Sequence, residues 1–263
     1  MKNLYKLHAR PKLNAPNMVA AWPGISNVSV IAATHLKKGL NFKELGEIES
    51  SYFFDPIGVA VKDNVVEAPQ FPQNKFYYWK NKGGGSDIIL FIADDQPGSK
   101  GYELANCVID VGERFQVKRI YTCAAALTRI HHTELPNAWG VATSQQTAEE
   151  LKKYDLGGKG NLQISGLNGL LLGVAKERNV ESVCLLGEVP MYTTRLQNPM
   201  AALVVLEALT KMLGVKIDMT ELTQLAIEAR ERMKQIAAEA MGEYIDFFTK
   251  PIWESEEEEE EEE

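Results

Sequence analysis

The chain has 263 residues, 45% of them hydrophobic and 24% charged, an ordinary globular composition at the upper end of what one domain holds. Its formal charge of -8 comes from its end: in "WESEEEEEEEE", Glu254 and Glu256 to Glu263 supply nine of the 36 acids, leaving 27 against 28 Lys and Arg. The body is therefore near neutral and carries no basic stripe for nucleic acid, while no run approaches the ~20 apolar residues that would span a bilayer. The opening "MKNLYKLHARPKLNAPNMVAAW" is too polar and too proline-interrupted for a signal sequence, so a cytoplasmic protein is expected. Cys107, Cys123 and Cys184 are widely separated in apolar runs, which predicts buried free thiols instead of a disulfide framework.

In chain order, "NMVAAW" predicts a strand, "PGISN" a turn, and "SNVSVIAATHLKKGL" a helix with Val28, Ile31, Ala32 and Leu36 on one face. The β-rich runs "IESSYFF", "GVAVK", "NVVEA" and "NKFYYWK", with Asp63-Asn64 as a turn, predict an antiparallel insertion near 47–80. "GGGSDIILFIADDQP" reads as a loop and an apolar strand of the kind covered on both faces. A helix over "GYELANCVIDVGERF", strands "VKRIYTCAA" and "AWGVATS", and a helix "QQTAEELKKY" follow. Residues 164 to 188, "ISGLNGLLLGVAKERNVESVCLLGE", read as a short strand, a glycine turn, a helix and a second strand.

"NPMAALVVLEALTKMLG" is the best-marked helix, with Asn198 at its cap, Pro199 at its first position and Gly214 just past its end. "DMTELTQLAIEARERMKQIAAEAM" adds another, opened by a capping box of Asp218 and Glu221 and striped by Leu222, Leu225, Ala226, Ala229, Met233 and Ile236. Strands alternating with helices predict a three-layer α/β domain with a mostly parallel central sheet over residues 1–217. The amphipathic helix of 218–248 packs on that domain or serves assembly, and the run of like charges in 249–263 makes an acidic disordered tail.

Chemistry in open α/β sheets collects outside the carboxyl ends of the strands. "WPGISN", "DDQPG", "ISGLNG" and "GEVPMYTTR" end strands that way, which groups Asn27, Asp95, Gln96, Gly166, Asn168, Glu188 and Arg195 around one ligand cleft. Glu188 with Arg195 would hold a polar ligand there, and Asp94 or Asp95 would serve as a base if burial raised its pKa. The glycine turn is spaced G-x-x-G-x-x-x-G, which departs from the dinucleotide fingerprint, so Gly166 is expected to turn the chain. Asn168 or Ser165 would cap the helix, with Gly169 and Gly173 allowing close packing on the sheet. Neighbouring His131 and His132 would point to opposite faces of a strand and cannot share one ion, so no metal is expected. No serine stands in a G-x-S-x-G elbow, and no cofactor is expected.

Four ordered stretches, "WPGISNVSVIAATHL", "FIADDQPGSKGYELANCVID", "ISGLNGLLLGVAKERNVESVCLLGEVP" and "NPMAALVVLEALTKMLGV", resemble the prokaryotic branch of the proteasome assembly chaperone family. The likeness covers roughly residues 18 to 215. It implies a domain akin to the nucleoside phosphorylase type of fold, assembly into homo-oligomers, and binding or assembly of another, proteasome-related protein. Members often carry an ATP-grasp label, which no glycine-rich nucleotide loop supports in this sequence. Archaeal relatives dock on the proteasome through a C-terminal hydrophobic residue, a tyrosine and one final residue; here Tyr244 lies inside "MGEYIDFF" and the sequence ends in glutamates. Two functions follow: a non-enzymatic assembly scaffold whose self-association uses Leu222, Leu225, Met233 and Ile236, and an enzyme of nucleoside phosphorylase or hydrolase type acting on a small polar ligand in the cleft.

Overall fold

The computed structural model describes residues 4–56, 58–157 and 162–249, with side chains at all of these except 237 and 240–249. Of the expected tail, residues 250–263 lie outside the described residues. The strands are β1 Tyr5–Leu7, β2 Asn17–Ala21, β3 Lys43–Ile48, β4 Val61–Lys62, β5 Val65–Val66, β6 Asn74–Trp79, β7 Ile88–Ala93, β8 Ile120–Thr128, β9 Ala138–Ala142 and β10 Ser182–Pro190. The helices are α1 Val28–Gly39, α2 Ser50–Phe53, α3 Gly101–Arg114, α4 Gln145–Leu151, α5 Gly166–Glu177, α6 Pro199–Leu213 and α7 Thr220–Thr249.

Eight strands form one sheet in the order β1-β3-β6-β7-β2-β8-β10-β9, while β4 and β5 pair only with each other. The four central strands β7, β2, β8 and β10 are mutually parallel. Both flanks are antiparallel: β1, β3 and β6 on one side and β9 on the other. The sheet is thus mixed, less parallel than the strand and helix alternation suggests. The reason lies in the connections: no long helix separates β3, β6 and β7, and without a crossover successive strands return antiparallel.

Alternation along each strand feeds two cores. Val19, Ala21, Ile88, Leu90, Val183 and Leu185 pack towards α1 and α6, whereas Met18, Ala20, Ile89 and Phe91 pack towards α3 and α5. Val28, Ala32 and Leu36 are buried on α1, with Ile31 partly so, as the periodicity predicts. Asp63 and Asn64 both take positive φ, 49° and 62°, between β4 and β5, the backbone that a two-residue hairpin requires.

The local departures have local causes. "IESSYFF" is not one strand: β3 ends at Ile48, and Ser50–Phe53 closes a single helical turn, where the Asn74 amide donates to Ser50 Oγ at 2.8 Å. Residues 162–165 form no strand, so α5 is entered from irregular chain. Helix α6 has the ends read from sequence, with Asn198 Oδ1 accepting from the Ala201 N–H at 2.9 Å and Gly214 left-handed at φ 66°. The capping box expected at α7 does not form. Asp218 Oδ1 accepts from the N–H and hydroxyl of Thr220, at 2.9 and 2.6 Å, and Glu221 turns away to pair with Lys38 of α1. Asp218 therefore titrates below the usual carboxylate range because of its bonds to Thr220.

Candidate functional site

The site begins where β2 leaves the sheet. After Trp22 and Pro23 the chain makes a 3₁₀ turn over Ile25–Asn27, in which Ser26 and Asn27 are both left-handed, at φ 53° and 52°. A serine holds that conformation only where its surroundings offset the strain. Here the Ser26 N–H donates to the Thr194 carbonyl at 3.3 Å, the Ser26 hydroxyl to the Thr193 carbonyl at 3.3 Å, and the Asn198 N–H to the Ser26 carbonyl at 3.0 Å. The segment between β10 and α6 thus pins the turn that starts α1. Asn27 occupies the N-cap of α1 without a side-chain cap bond.

Gln96, just beyond β7, ties the next corner. Its Nε2 donates to the Pro23 carbonyl at 2.6 Å, and its Oε1 accepts from the Leu167 N–H at 2.9 Å. That second bond satisfies an orphan donor at the start of α5, a position where an anion would otherwise be favoured. The glycine turn is therefore a joint held by a neutral side chain. Gly166 is required there twice over: its φ is 69°, and a Cβ would stand 3.0 Å from Gln96 Oε1. Neither Ser165 nor Asn168 caps the helix, since Ser165 makes no side-chain cap bond and Asn168 Oδ1 has no protein partner. Of the two later glycines, Gly169 is crowded by the Ile164 carbonyl and Gly173 faces open space, so neither brings the helix closer to the sheet.

Between these corners and the ends of β8 and β10 lies a cavity of about 440 Å³, lined by Gly24, Ser29, Gln96, Ala124 to Leu127, Trp139, Gly166, Asn168 and Leu186 among others. Its size is that of a small-molecule site. Among the described residues, none that lines it is an Asp, Glu, His, Lys or Arg. The one ionisable group is the Cys123 thiol, whose pKa burial pushes far up, which removes it as a nucleophile near neutrality. Cys107 and Cys184 are likewise buried and free, each pushed up to about 12 by burial.

Of the residues grouped by sequence, Gln96, Gly166 and Asn168 meet at this cavity. Asp95 is exposed and spends its Oδ1 on the Gln96 N–H at 2.7 Å, and Asp94 Oδ2 accepts from the Gln73 N–H at 2.9 Å; both are turn residues. Glu188 lines a separate crevice of about 20 Å³ with His131, His132 and Arg230, where its Oε2 accepts from the N–H and side chain of Asn137 at 2.8 and 2.9 Å. Arg195 is exposed and makes no ion pair with Glu188 among the described residues. His132 is bonded to the Tyr192 hydroxyl and pulled below the ordinary histidine range by burial and by His131, Lys234 and Arg230. Among the described residues no group of three metal-ligating side chains occurs. Ser29, Trp139 and the Ala124–Ala126 floor were not singled out by sequence; the small-residue run "CAAA" at the end of a strand was their one visible signal.

A second concavity lies on the outer face. Leu222 and Ala226 are fully buried beneath α7, so Leu222 belongs to this domain's own core and not to an assembly surface. Leu225 and Ile236 are 39% and 44% exposed, and with Leu196, Pro199, Ala229 and Met233 they line an apolar groove of about 550 Å³ flanked by Glu228 and Arg232. Arg230 steadies α7 over the body by donating to the Thr133 carbonyl.

The same architecture occurs in known proteins. Pyrococcus furiosus PbaB, an archaeal proteasome activator, is 30% identical and superposes with a TM-score of 0.76 over 89% of this chain and 98% of its own. Pyrococcus furiosus PbaA, an archaeal homolog of proteasome-assembly chaperone, shares the fold at 24% identity with a TM-score of 0.68, over 88% of this chain and 96% of its own. An uncharacterized protein of Methanocaldococcus jannaschii is 29% identical over 219 residues, 80% of this chain and 78% of that protein. Residues 18–237 match the PAC2 family, in which the four motifs and the mixed sheet place this chain, and the protein is a member of that family.

Proposed function

We propose that this protein is a non-enzymatic assembly scaffold that associates with itself and binds another, proteasome-related protein. The observation that carries the reading is the groove of Leu196, Leu225, Met233 and Ile236, an apolar strip on an outer helix that the domain leaves uncovered. A second copy is the occupant that fits. Glu228 and Arg232 flank the strip one helical turn apart, so a two-fold arrangement sets each copy's acid against the other's base while the apolar residues meet between them. In this reading 1–217 is the α/β body, akin to the nucleoside phosphorylase type of fold, and 218–248 is the helix used in assembly. The partner class is supported by PbaB and PbaA, described as a proteasome activator and as a homolog of proteasome-assembly chaperone. Three buried free thiols support a cytoplasmic setting. Catalysis is not favoured, because among the described residues the cavity wall offers no acid, base or activated nucleophile.

Light scattering at micromolar concentration tests the first half. An oligomer is expected, and Leu225→Glu with Met233→Glu should give a smaller species that stays folded by circular dichroism, because both positions lie outside the buried core. A monomeric mass for the unmodified protein overturns the reading. Affinity capture with purified proteasome core particles tests the second half: retention that the double variant loses supports it, and no retention of the unmodified protein refutes it.

A further inference from the structure

The cavity at the strand ends has the construction of a ligand site. Two helices of 12 residues, α1 and α5, start at its wall, and neither N-cap residue, Asn27 or Ser165, makes a side-chain cap bond. The helix α6, which starts elsewhere, is capped by Asn198. Ser29 and Asn168, only 3% and 8% exposed, both line the cavity, and among the described residues Ser29 Oγ and Asn168 Oδ1 have no partner. Buried polar atoms in proteins are paired as a rule, so each unpaired one asks for a reason. Gln96 is not available to either, since both ends of its amide are committed to Pro23 and Leu167.

We propose that this cavity binds a small, uncharged, flat molecule with a hydrogen-bond donor and acceptor side by side, of the carboxamide class. Charge is disfavoured because, among the described residues, the lining offers no countercharge for a desolvated ion. The ligand's donor serves Asn168 Oδ1, its acceptor takes the Ser29 hydroxyl, and its flat body lies on the Ala124–Ala126 floor against Trp139. The site binds and does not transform its ligand, because among the described lining residues the Cys123 thiol alone is ionisable and burial holds it protonated. This inference is independent of the assembly reading, since the cavity shares no lining residue with the groove on α7.

The test titrates benzamide into the full-length protein, followed by calorimetry and by tryptophan fluorescence, with benzoate and acetophenone as a charged and an acceptor-only probe of similar shape. Saturable benzamide binding is expected, with the other two about tenfold weaker or worse, the size expected for one unmade buried hydrogen bond. Asn168→Leu and Ser29→Ala should each weaken benzamide by about tenfold while the circular dichroism stays native. Ser29→Ala only removes an oxygen, so it keeps the test decisive should the leucine variant fail to fold. No saturable change up to the solubility limit, benzoate binding as tightly as benzamide, or unchanged binding in the folded variants overturns the proposal.

Discussion

Helices α6 and α7 are consecutive, apolar on a repeating face and in contact with each other, yet they have opposite fates. Ten residues of α6 are buried, from Pro199 to Leu213, on nearly every side, because β10 lies beneath it and α1 and α7 lie against it. Along the described part of α7 only Leu222 and Ala226 are buried, while Leu225, Ile227 and Ile236 are exposed. The difference teaches that a helical apolar stripe says a face needs cover but not what supplies it. For α6 the cover is the sheet of the same domain; for α7 half of the described stripe stays exposed.

Mutations should respond to that contrast in graded fashion. Leu206→Ala, in the fully buried face of α6, should cost about 2–5 kcal/mol in urea unfolding of the protein through lost burial and a residual cavity; a cost below 1 would mean that α6 is not the central helix described. Gly187→Val attacks the same packing from the sheet side, since a Cβ at 187 would stand 2.6 Å from the Ala201 carbonyl oxygen. Overpacking of that kind costs about 1–3 kcal/mol. An unchanged denaturation midpoint would show that β10 and α6 can separate freely.

Smaller effects sharpen the comparison. Asn198→Ala removes the side chain that caps α6 and should cost about 1 kcal/mol, whereas Ser165→Ala should leave stability within about 0.5 kcal/mol, because Ser165 makes no cap bond to α5. Equal losses in the two variants would contradict the assignment of Gln96 as the group that closes the α5 end. Leu225→Ala should change monomer stability by about 1 kcal/mol or less, since Leu225 lies outside the buried core and is 39% exposed. A loss of several kcal/mol at low protein concentration would place Leu225 in the core.

The ends of α6 were legible because a cap asparagine, a first-turn proline and a terminal glycine act within a few residues of one another. The central strands were legible because β2, β7, β8 and β10 are apolar on both faces. The Asp218 and Glu221 pairing failed for the reason that local motifs fail generally: Thr220 offered Asp218 a nearer donor, and Lys38, 183 positions away in sequence, took the glutamate. The cleft was half legible. Gln96, Gly166 and Asn168 converge because the parallel strands bring their carboxyl ends to one edge. Glu188 lies within β10 near its end and Arg195 follows that strand, but an antiparallel neighbour intervenes: the Asn137 segment before β9 takes the glutamate, and the loop after Pro190 carries the arginine outward.

The sequence by itself determined the alternation of strands and helices, the near-neutral body, the buried thiols and the family, since each is written in composition or in patterns a few residues long. Tertiary structure alone decided three other things: the antiparallel placing of β9 beside β10, the division of the α7 stripe into a buried pair and an exposed strip, and the use of Gln96 to close the end of α5. Each of these depends on groups distant in the chain arriving at the same place, and a hydrogen bond or a covered face exists only once both partners are there.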